Sequence, residues 1–400
     1  MRLPISYYHF LSGQSDRSVR KLLDGTEYEK HADVYVGAWS RVQRAIEKAG
    51  TLSIGVLVDL HSAPGAQNTE GHSGLSTKKA GLWEGLSAGK NQKRTIAILE
   101  ELAKQLSGYE NVVGLELLNE PKNSGNLQSF YESAIKEIRK VSPDIPLYLG
   151  DAWDLKHYSQ WVSGQARAGN FLVVDHHLYR CFTPQDHSTP AGEHAARIHP
   201  RSGGKTCNML RDSSTKLGGS LIIGEWSAAL NPGSLQGRNQ NDCQREWGEA
   251  QAAAYAVHVG GSFFWTLKKE GAPDGGWCLY SAIEKGVLPP DLGKPTGRLA
   301  AKDLEFWGQQ LGSEKLEGHR NYWNSKGSSG DHAAFADGWS QGWKDSQAFL
   351  SAGGNIGFYG QWAKNRAEVW VRQGGSDKEA WEFEHGCAQA ITSFNDALRH

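Results

Sequence analysis

The chain has 400 residues, with 43 Lys and Arg against 44 Asp and Glu, which gives a formal charge of −1 at pH 7. Such a balanced charge offers no long-range field to gather nucleic acid phosphates, so nucleic acid is not expected as a partner. Hydrophobic residues at 38% and charged residues at 22% indicate a chain that buries a core, which excludes a disordered protein. The 15 Trp and 13 Tyr are typical of a large core or of a protein that stacks on ring-shaped ligands.

The cysteines and the N-terminus bear on compartment. The five cysteines are an odd number without a C-x-x-C pair, so neither a zinc ribbon nor a thioredoxin-like site is expected. No basic segment followed by an apolar one opens the sequence at 1–7, and no stretch approaches the roughly 18 apolar residues of a membrane span. We expect a cytoplasmic protein as written, and a secreted one if a further segment precedes Met1.

Short apolar runs alternate with longer amphipathic or glycine-rich stretches along the first 270 residues. The apolar runs predict buried parallel strands at Arg2–Ser6, Ile54–Leu60, Val112–Leu118, Ile145–Leu149, Phe171–Val174, Ser220–Ile223 and Gly261–Trp265. Helices are predicted between them, among others at Ala38–Ala49, Gln92–Leu106 and Leu127–Val141. The alternation favours an α/β fold with a parallel sheet. A closed (β/α)₈ barrel needs one strand more than these seven.

Polar residues follow nearly every predicted strand. They are His61, Asn119, Glu120, Asp151, His177, Tyr179, Glu225 and Trp265. In a (β/α)₈ barrel the carboxyl ends of all strands open onto one face, so these side chains are expected to converge there.

The pattern changes after about Leu311 to a tail rich in Gly, Trp and Asp. Within the tail, residues 335–342 (FADGWSQG) resemble residues 383–390 (FEHGCAQA), and an apolar helical segment follows each. We predict a catalytic barrel at 1–312 and a helical extension packed on it at 313–400, in preference to a separate binding module.

Glu120 and Glu225 are the strongest candidates for catalysis. Counting Arg2–Ser6 as the second strand of a barrel, Glu120 follows the fourth strand and Glu225 follows the apolar run of the seventh. Two carboxylates at strand ends are what hydrolysis of a glycosidic bond requires, since one protonates the leaving oxygen and the other attacks the anomeric carbon or activates water. Their separation decides between retention and inversion, and spacing along the sequence leaves that open.

Six ordered blocks of sequence carry a resemblance to a known family. They are RLPISYY at 2–8, DLHSAPGAQN at 59–68, GLELLNEP at 114–121, VDHHLY at 174–179, GEWSAAL at 224–230 and FWTLKKE at 264–270. In these blocks the chain resembles glycoside hydrolase family 5, and within it the fungal exo-β-1,3-glucanases and related β-glucosidases.

The resemblance implies a TIM barrel and a role for each matched residue. Glu120 matches the general acid/base and Glu225 the nucleophile, which implies a retaining reaction with Glu120 protonated near neutral pH and Glu225 charged. The resemblance also implies that Arg2 and Tyr179 orient the nucleophile and that Asn119 donates to the sugar 2-hydroxyl. His61 and His177 would line the pocket, and Trp265 would form the floor beneath the sugar.

The chain departs from the family pattern in ways that affect the interpretation. The match starts at the family's second strand, so the barrel is expected to lack the first, and His72 stands where the glucanases usually have Asn.

The leading hypothesis is a retaining β-glycosidase that cleaves β-D-glucosidic bonds of a β-glucan oligosaccharide or β-glucoside. A transglycosylase of the same family and a catalytically impaired carbohydrate-binding protein are the alternatives. No cofactor, no metal and no membrane span are expected, and the protein is expected to be a monomer.

Overall fold

The computed structural model describes residues 1–166, 171–290, 301–328 and 330–398. By its internal contacts the chain forms two compact units, which are described separately. The first unit comprises Met1–Tyr179, Ile222–Trp226 and Ser262–Trp265, and the second comprises Arg180–Leu221, Ser227–Gly261 and Thr266–His400. No helix among the described residues is long and apolar enough to cross a bilayer.

The first unit is built around a sheet whose seven strands lie side by side in chain order. They are β1 (Arg2–Ser6), β2 (Val56–Ser62), β3 (Val112–Glu116), β4 (Leu147–Gly150), β5 (Leu172–Arg180), β6 (Leu221–Leu230) and β7 (Gly261–Phe264). β1 to β5 pair in parallel, with Arg2 beside Leu57 and Asp59 beside Glu116.

Helices alternate with the strands and then follow them. In the first unit they are α1 (Tyr7–Leu11), α2 (Arg17–Arg20), α3 (Ala32–Tyr35), α4 (Ala38–Thr51), α5 (Ala88–Leu106), α6 (Leu127–Val141) and α7 (Leu155–Ala166). In the second unit they are α8 (Pro184–Ser188), α9 (Ala191–Ile198), α10 (Lys205–Lys216), α11 (Gln240–His258), α12 (Leu279–Glu284), α13 (Ala301–Ser325), α14 (Ala333–Ser351), α15 (Tyr359–Arg372) and α16 (Ala380–Ala397). This alternation in chain order confirms the predicted α/β barrel class with seven strands and a helical C-terminal region.

Two strands extend beyond their predicted ends by more than two residues. The apolar runs end at Val174 and Ile223, yet β5 continues to Arg180 and β6 to Leu230. The added residues include His177, Tyr179 and Glu225, which are polar but hydrogen-bond to one another and to side chains of other strands. Hydropathy alone ends a strand where polar residues begin, whereas a polar residue with a partner can remain in a buried strand.

The two similar tail segments form helices that contact each other through glycine. The segment at 335–342 lies in α14 and the one at 383–390 in α16. A Cβ on Gly338 would stand 2.0 Å from the Phe383 carbonyl oxygen, and one on Gly386 would stand 2.1 Å from that of Phe335. The repeated glycine is therefore explained by the close approach of two helix backbones.

Tryptophans fill the space beside this helix pair. Trp339 and Trp343 are buried, and their indole nitrogens donate to the carbonyls of Gly308 and Leu304 at 3.0 Å in each case. Buried indole N–H groups need such partners, so the two rings fix α14 against α13. α13 runs through the predicted domain boundary at 312/313, and that boundary stays a prediction.

We expect Gly338→Ala to destabilise the second unit by about 1–3 kcal/mol, because the new methyl group overlaps a backbone carbonyl that cannot move alone. Gly318→Ala is the matched control, since Gly318 lies in α13 with nothing within 4 Å of the added Cβ. That change should stabilise by up to about 1 kcal/mol through helix propensity. Urea unfolding of both variants measures the difference, and equal midpoints would contradict the packing described.

Candidate active site

A buried arginine joins the acidic side chains of three strands. Arg2 of β1 donates through Nε to Glu116 Oε2 at 2.7 Å and through Nη1 to Glu225 Oε1 at 2.7 Å. Its Nη2 lies 3.1 Å from Asp59 Oδ2 and donates to Asn119 Oδ1 at 2.7 Å. Only 3% of the Arg2 side chain is exposed, so each carboxylate has lost its water and depends on the guanidinium for compensation.

Glu225 is held through both of its carboxylate oxygens. Arg2 donates to Oε1, and the Tyr179 hydroxyl donates to Oε2 at 2.8 Å. Burial, followed by the charge of Glu225, raises the pKa of Tyr179, which therefore keeps its proton and remains a donor. The two donors fix the orientation of the carboxylate and stabilise its charge.

The backbone holds Glu120 in a strained conformation. Its φ is +42°, in the left-handed region that residues other than glycine rarely adopt. The loop after β2 supports it, because Asn68 donates to the Glu120 carbonyl at 2.8 Å and Gln67 to that of Asn119 at 2.9 Å. The block at 59–68 is therefore needed to place Asn119 and Glu120.

The surroundings of Glu120 move its pKa in the direction opposite to the one expected for a proton donor. Burial raises its pKa, but a 2.8 Å hydrogen bond from His177 Nδ1 and the charges of His177, His72 and His61 outweigh burial and lower it. For His177, burial lowers the pKa, and the charges of Glu225 and Asp175 raise it well above the ordinary value. These two directions oppose the expectation that Glu120 itself carries a proton near neutral pH, and that expectation stays a prediction.

Two further acidic residues, Glu116 and Asp175, are buried close to His177. Burial raises the pKa of Glu116 well above its ordinary value despite the charge of Arg2. Burial acts to raise the pKa of Asp175, but the charge of His177 outweighs burial and lowers that pKa. The two side chains are in contact, with 3.4 Å from His177 Nε2 to Asp175 Oδ2. Asp175 also accepts from the Gly224 amide at 2.6 Å, so it links β5 to β6 beside Glu225.

Aromatic rings and histidines border the carboxylates. His61 Nδ1 lies 2.7 Å from Asp59 Oδ2, and its ring is parallel to that of Trp265, with 4° between the planes and 5.8 Å between centroids. His72 Nε2 lies 3.2 Å from Glu120 Oε2. The half-buried Trp265 thus presents a flat apolar face near two polar rings, a suitable surface for a sugar ring.

Two groups of side chains in this unit have donor atoms close enough to hold a metal ion. They are Glu116 with Asp175 and His177, and Glu120 with His177 and Glu225; within each group the donor atoms lie within 4.8 Å of one another. Arg2 already binds Glu116 and Glu225, and a cation placed there would be repelled by the guanidinium. The expectation that no metal takes part stays a prediction.

All eight residues predicted for the site lie in the first unit, and six of them are linked by contacts to Glu225 or Glu120. The six are Arg2, Asn119, Glu120, His177, Tyr179 and Glu225, while His61 and Trp265 border them. Their catalytic and binding roles stay predictions.

The sequence analysis missed Asp59, Glu116 and Asp175, which are completely or almost completely buried. A signal was present, because Asp59 and Glu116 are acidic residues inside apolar runs and Asp175 directly follows one. Such a residue needs a partner when it is buried, and Arg2 in the neighbouring strand supplies one for Asp59 and Glu116.

Two family models match the chain. The model of cellulase (glycosyl hydrolase family 5) matches residues 2–281, and that of the glucan 1,3-beta-glucosidase 3 C-terminal domain matches residues 307–398. The sheet with its carboxylates thus lies almost entirely within the first match, and α14 to α16 lie within the second. The chain belongs to glycosyl hydrolase family 5, which confirms the resemblance inferred from the six sequence blocks.

Individual relatives agree with this assignment. The chain is 33% identical to glucan 1,3-beta-glucosidase 3 of Schizosaccharomyces pombe, over 96% of this chain and 78% of the relative. It is 28% identical to an uncharacterized glycosyl hydrolase of Saccharomyces cerevisiae, over 99% of this chain and 75% of the relative. The crystal structure of AoRut shares the fold with a TM-score of 0.52 and 18% identity, over 72% of this chain and 77% of that one. The protein is therefore a glycoside hydrolase, and its family supports β-glycosidase activity.

We expect Arg2→Met to destabilise the protein by about 3–5 kcal/mol, because it leaves buried carboxylates without their counter-charge. Lys269→Met is the matched control: it breaks the 2.7 Å pair with Asp274, whose side chains are 46% and 26% exposed, and should cost less than about 1 kcal/mol. Guanidinium unfolding followed by circular dichroism gives both values. Equal losses in the two variants would contradict the central position of Arg2.

Proposed function

We propose that this protein is a retaining β-glycosidase that cleaves β-D-glucosidic bonds by double displacement, with Glu225 as nucleophile and Glu120 as general acid/base. The observation that carries the proposal is the arrangement of Glu120, His177 and Glu225, whose donor atoms lie within 4.8 Å of one another. Retaining glycosidases hold their two carboxyl groups about 5–5.5 Å apart, whereas inverting enzymes separate them further to admit a water molecule. The short distance supports retention.

In the first step, a Glu225 oxygen attacks the anomeric carbon while the bond from that carbon to the leaving oxygen breaks. The attacking carboxylate must be ionised and oriented, and Arg2 and Tyr179 supply both conditions. Glu120 delivers a proton to the leaving oxygen, so the first product departs as a neutral alcohol and the sugar remains bound to Glu225.

The pair of Glu120 and His177 supplies that proton. The lowered pKa of Glu120 and the raised pKa of His177, whose Nδ1 lies 2.8 Å from Glu120 Oε1, favour a proton on His177 in the free protein. A bound sugar displaces water from Glu120, and the resulting desolvation raises the pKa of this carboxyl. The proton can then cross the existing hydrogen bond and reach the leaving oxygen through Glu120.

In the second step, the Glu120 carboxylate accepts a proton from water as the water oxygen attacks the anomeric carbon. The bond to Glu225 breaks, and the sugar is released with its original β configuration. Asn119 is placed to assist both steps, because Arg2 holds its Oδ1 and so leaves its Nδ2 as donor to the sugar 2-hydroxyl. An acceptor sugar that replaces water in this step would give transglycosylation instead.

The substrate class rests on relatives and on the border of the site. The similar proteins of S. pombe and Yarrowia lipolytica are both named glucan 1,3-beta-glucosidase, which favours a β-1,3-glucan oligosaccharide or a smaller β-glucoside for this chain. The indole face of Trp265 beside His61 fits the apolar face of a glucosyl ring. An exo-β-1,3-glucanase or β-glucosidase is the proposed type.

The proposal predicts that p-nitrophenyl β-D-glucopyranoside and laminarioligosaccharides release β-glucose before mutarotation, as followed by proton NMR. Glu225→Gln should lower kcat at least about 10³-fold on both substrates, since no other carboxylate can form the glycosyl intermediate. Glu120→Gln should impair the oligosaccharides more than the nitrophenyl glucoside, whose leaving group needs less protonation. Glu132→Gln, on the exposed face of α6, is the control and should leave turnover unchanged.

Initial release of α-glucose would contradict retention. A folded protein that binds these sugars without turnover would instead favour a catalytically impaired binding protein, and glucosyl transfer to a second sugar in excess of hydrolysis would favour a transglycosylase.

We expect His72→Asn to move the basic limb of the kcat/KM profile to higher pH. The charge of His72 contributes to lowering the pKa of Glu120, so its removal raises that pKa and the Glu120–His177 pair keeps its shared proton to higher pH. The basic limb of kcat/KM reports loss of the proton that this pair holds in the free enzyme. His157→Asn, on an exposed position of α7, should leave the profile in place, and a shift of the His72→Asn limb to lower pH would contradict the assignment.

A further inference from the structure

Among the described residues, a further group of potential metal ligands lies in the helical part of the second unit, apart from the residues assigned to catalysis. His319 of α13, His332 just before α14 and Glu382 of α16 present donor atoms that lie within 4.8 Å of one another. His332 Nδ1 is 3.0 Å from Glu382 Oε1, and His319 Nε2 is 3.8 Å from Glu382 Oε2. We call these three residues the helical histidine cluster.

The cluster is buried and its hydrogen bonding is incomplete. The side chains of His319, His332 and Glu382 are only 2%, 1% and 12% exposed. Among the described residues, Nε2 of His319 and Nε2 of His332 have no hydrogen-bond partner. A buried polar atom without a partner is costly, and His319 Nε2, which lies 3.8 Å from Glu382 Oε2, would be satisfied by an ion bound between these two residues.

Surrounding residues hold the two imidazole rings in place. Phe335 stacks on His319 with 4.3 Å between ring centroids, and the rings of His319 and His332 meet edge to face at 4.9 Å. His332 has a φ of +55°, so its backbone adopts a left-handed conformation that aims the side chain towards Glu382. Rings fixed in this way lose little entropy when they bind an ion.

We propose that the helical histidine cluster binds one zinc ion through His319, His332 and Glu382. Two imidazoles and a carboxylate are a typical donor set for zinc, and hard ions such as Mg²⁺ prefer oxygen ligands alone. Bonds of about 2.0–2.1 Å in tetrahedral geometry place donor atoms about 3.3 Å apart. His332 Nδ1 lies 3.0 Å from Glu382 Oε1 and His319 Nε2 lies 3.8 Å from Glu382 Oε2, and these separations fall on either side of this value.

A fourth ligand is available on the exposed side of α16. His385 follows Glu382 by three residues, so both lie on one face of the helix, and its ring centroid is 5.4 Å from that of His319. A Glu-x-x-His pair of this spacing is a recurrent metal-binding arrangement in helical bundles. Either His385 or a water molecule completes the coordination of the ion.

The role of such an ion is to join helices. Its ligands come from α13, from the residue preceding α14 and from α16, so one ion would connect three segments distant in sequence. Metal binding to the folded state alone adds to stability. The proposal concerns residues 319–382 and is independent of the proposed glycosidase function.

The test begins with the full chain, stripped with a chelator and dialysed against a buffered excess of Zn²⁺. We expect one zinc per chain by mass spectrometric metal analysis, and a zinc-dependent increase in Tm. His319→Gln and Glu382→Gln should each weaken zinc binding at least about 100-fold in a competition titration and abolish the increase in Tm. His157→Gln, at an exposed histidine of α7, is the matched control and should bind zinc as the parent protein does.

X-ray absorption spectroscopy of the zinc-loaded parent protein distinguishes this cluster from the catalytic one. Because it uses the parent protein, this measurement still tests the proposal if a variant fails to fold. The helical cluster supplies at least two imidazoles, whereas Glu120, His177 and Glu225 supply one and can gain a second from the neighbouring His72. Two or more imidazoles per zinc, in the parent protein and equally in a His72→Asn variant, support the proposal. It is overturned by a single imidazole, by zinc uptake below about 0.1 per chain, or by equal affinity in the parent protein and a folded His319→Gln variant.

Discussion

The site depends on the interaction of one guanidinium with three buried carboxylates. Arg2 lies within 2.7–3.1 Å of oxygen atoms of Asp59, Glu116 and Glu225, which come from β2, β3 and β6. Three acidic groups without water cannot remain together unless a cation compensates them, and an arginine offers enough donors to bind all three. The same contacts orient Glu225 and Asn119, so the Arg2 guanidinium both compensates the buried negative charge and sets the geometry of the site.

Charge balance also determines where the proton is held. His177 lies between Glu120 and Asp175, with Glu225 nearby, and this acidic environment raises its pKa. The pKa of Glu120 is thereby lowered although its side chain is mostly buried. A proton stored on a histidine beside the acid, and returned when substrate excludes water, reconciles a low Glu120 pKa with the need for a proton donor. We therefore propose that Glu120 and His177 carry out the acid/base function as a pair.

Much of this could be predicted from the sequence, because apolar runs identify buried strands directly. β1 has its predicted bounds, and the other strands begin within two residues of theirs. Barrel topology then places Glu120 and Glu225 at the same face without knowledge of any distance. The strand ends were harder to predict, because His177, Tyr179 and Glu225 remain in strands through contacts with residues far away in sequence.

Other features required the structure. The importance of Asp59, Glu116 and Asp175 depends on which strands are neighbours, and the direction of the Glu120 pKa shift depends on three histidines from separate segments. Similarly, residues 335–342 and 383–390 are visibly alike in sequence, but the reason is the contact between α14 and α16 at Gly338 and Gly386. The helical histidine cluster has no spacing motif that joins residues 319, 332 and 382, so only folding brings it together.

The central claim is that Glu225, held by Arg2 and Tyr179, forms a covalent bond to the sugar. The test reagent is 2-deoxy-2-fluoro-β-D-glucosyl fluoride. Its 2-fluoro substituent slows both displacement steps, while its reactive anomeric fluoride still allows the first step, so the glycosyl intermediate accumulates. Mass spectrometry of the intact protein and of its peptic peptides should show one fluoroglucosyl group per chain, attached to Glu225. Attachment to Glu120 or to another residue, or an active enzyme that never becomes labelled, would contradict the account.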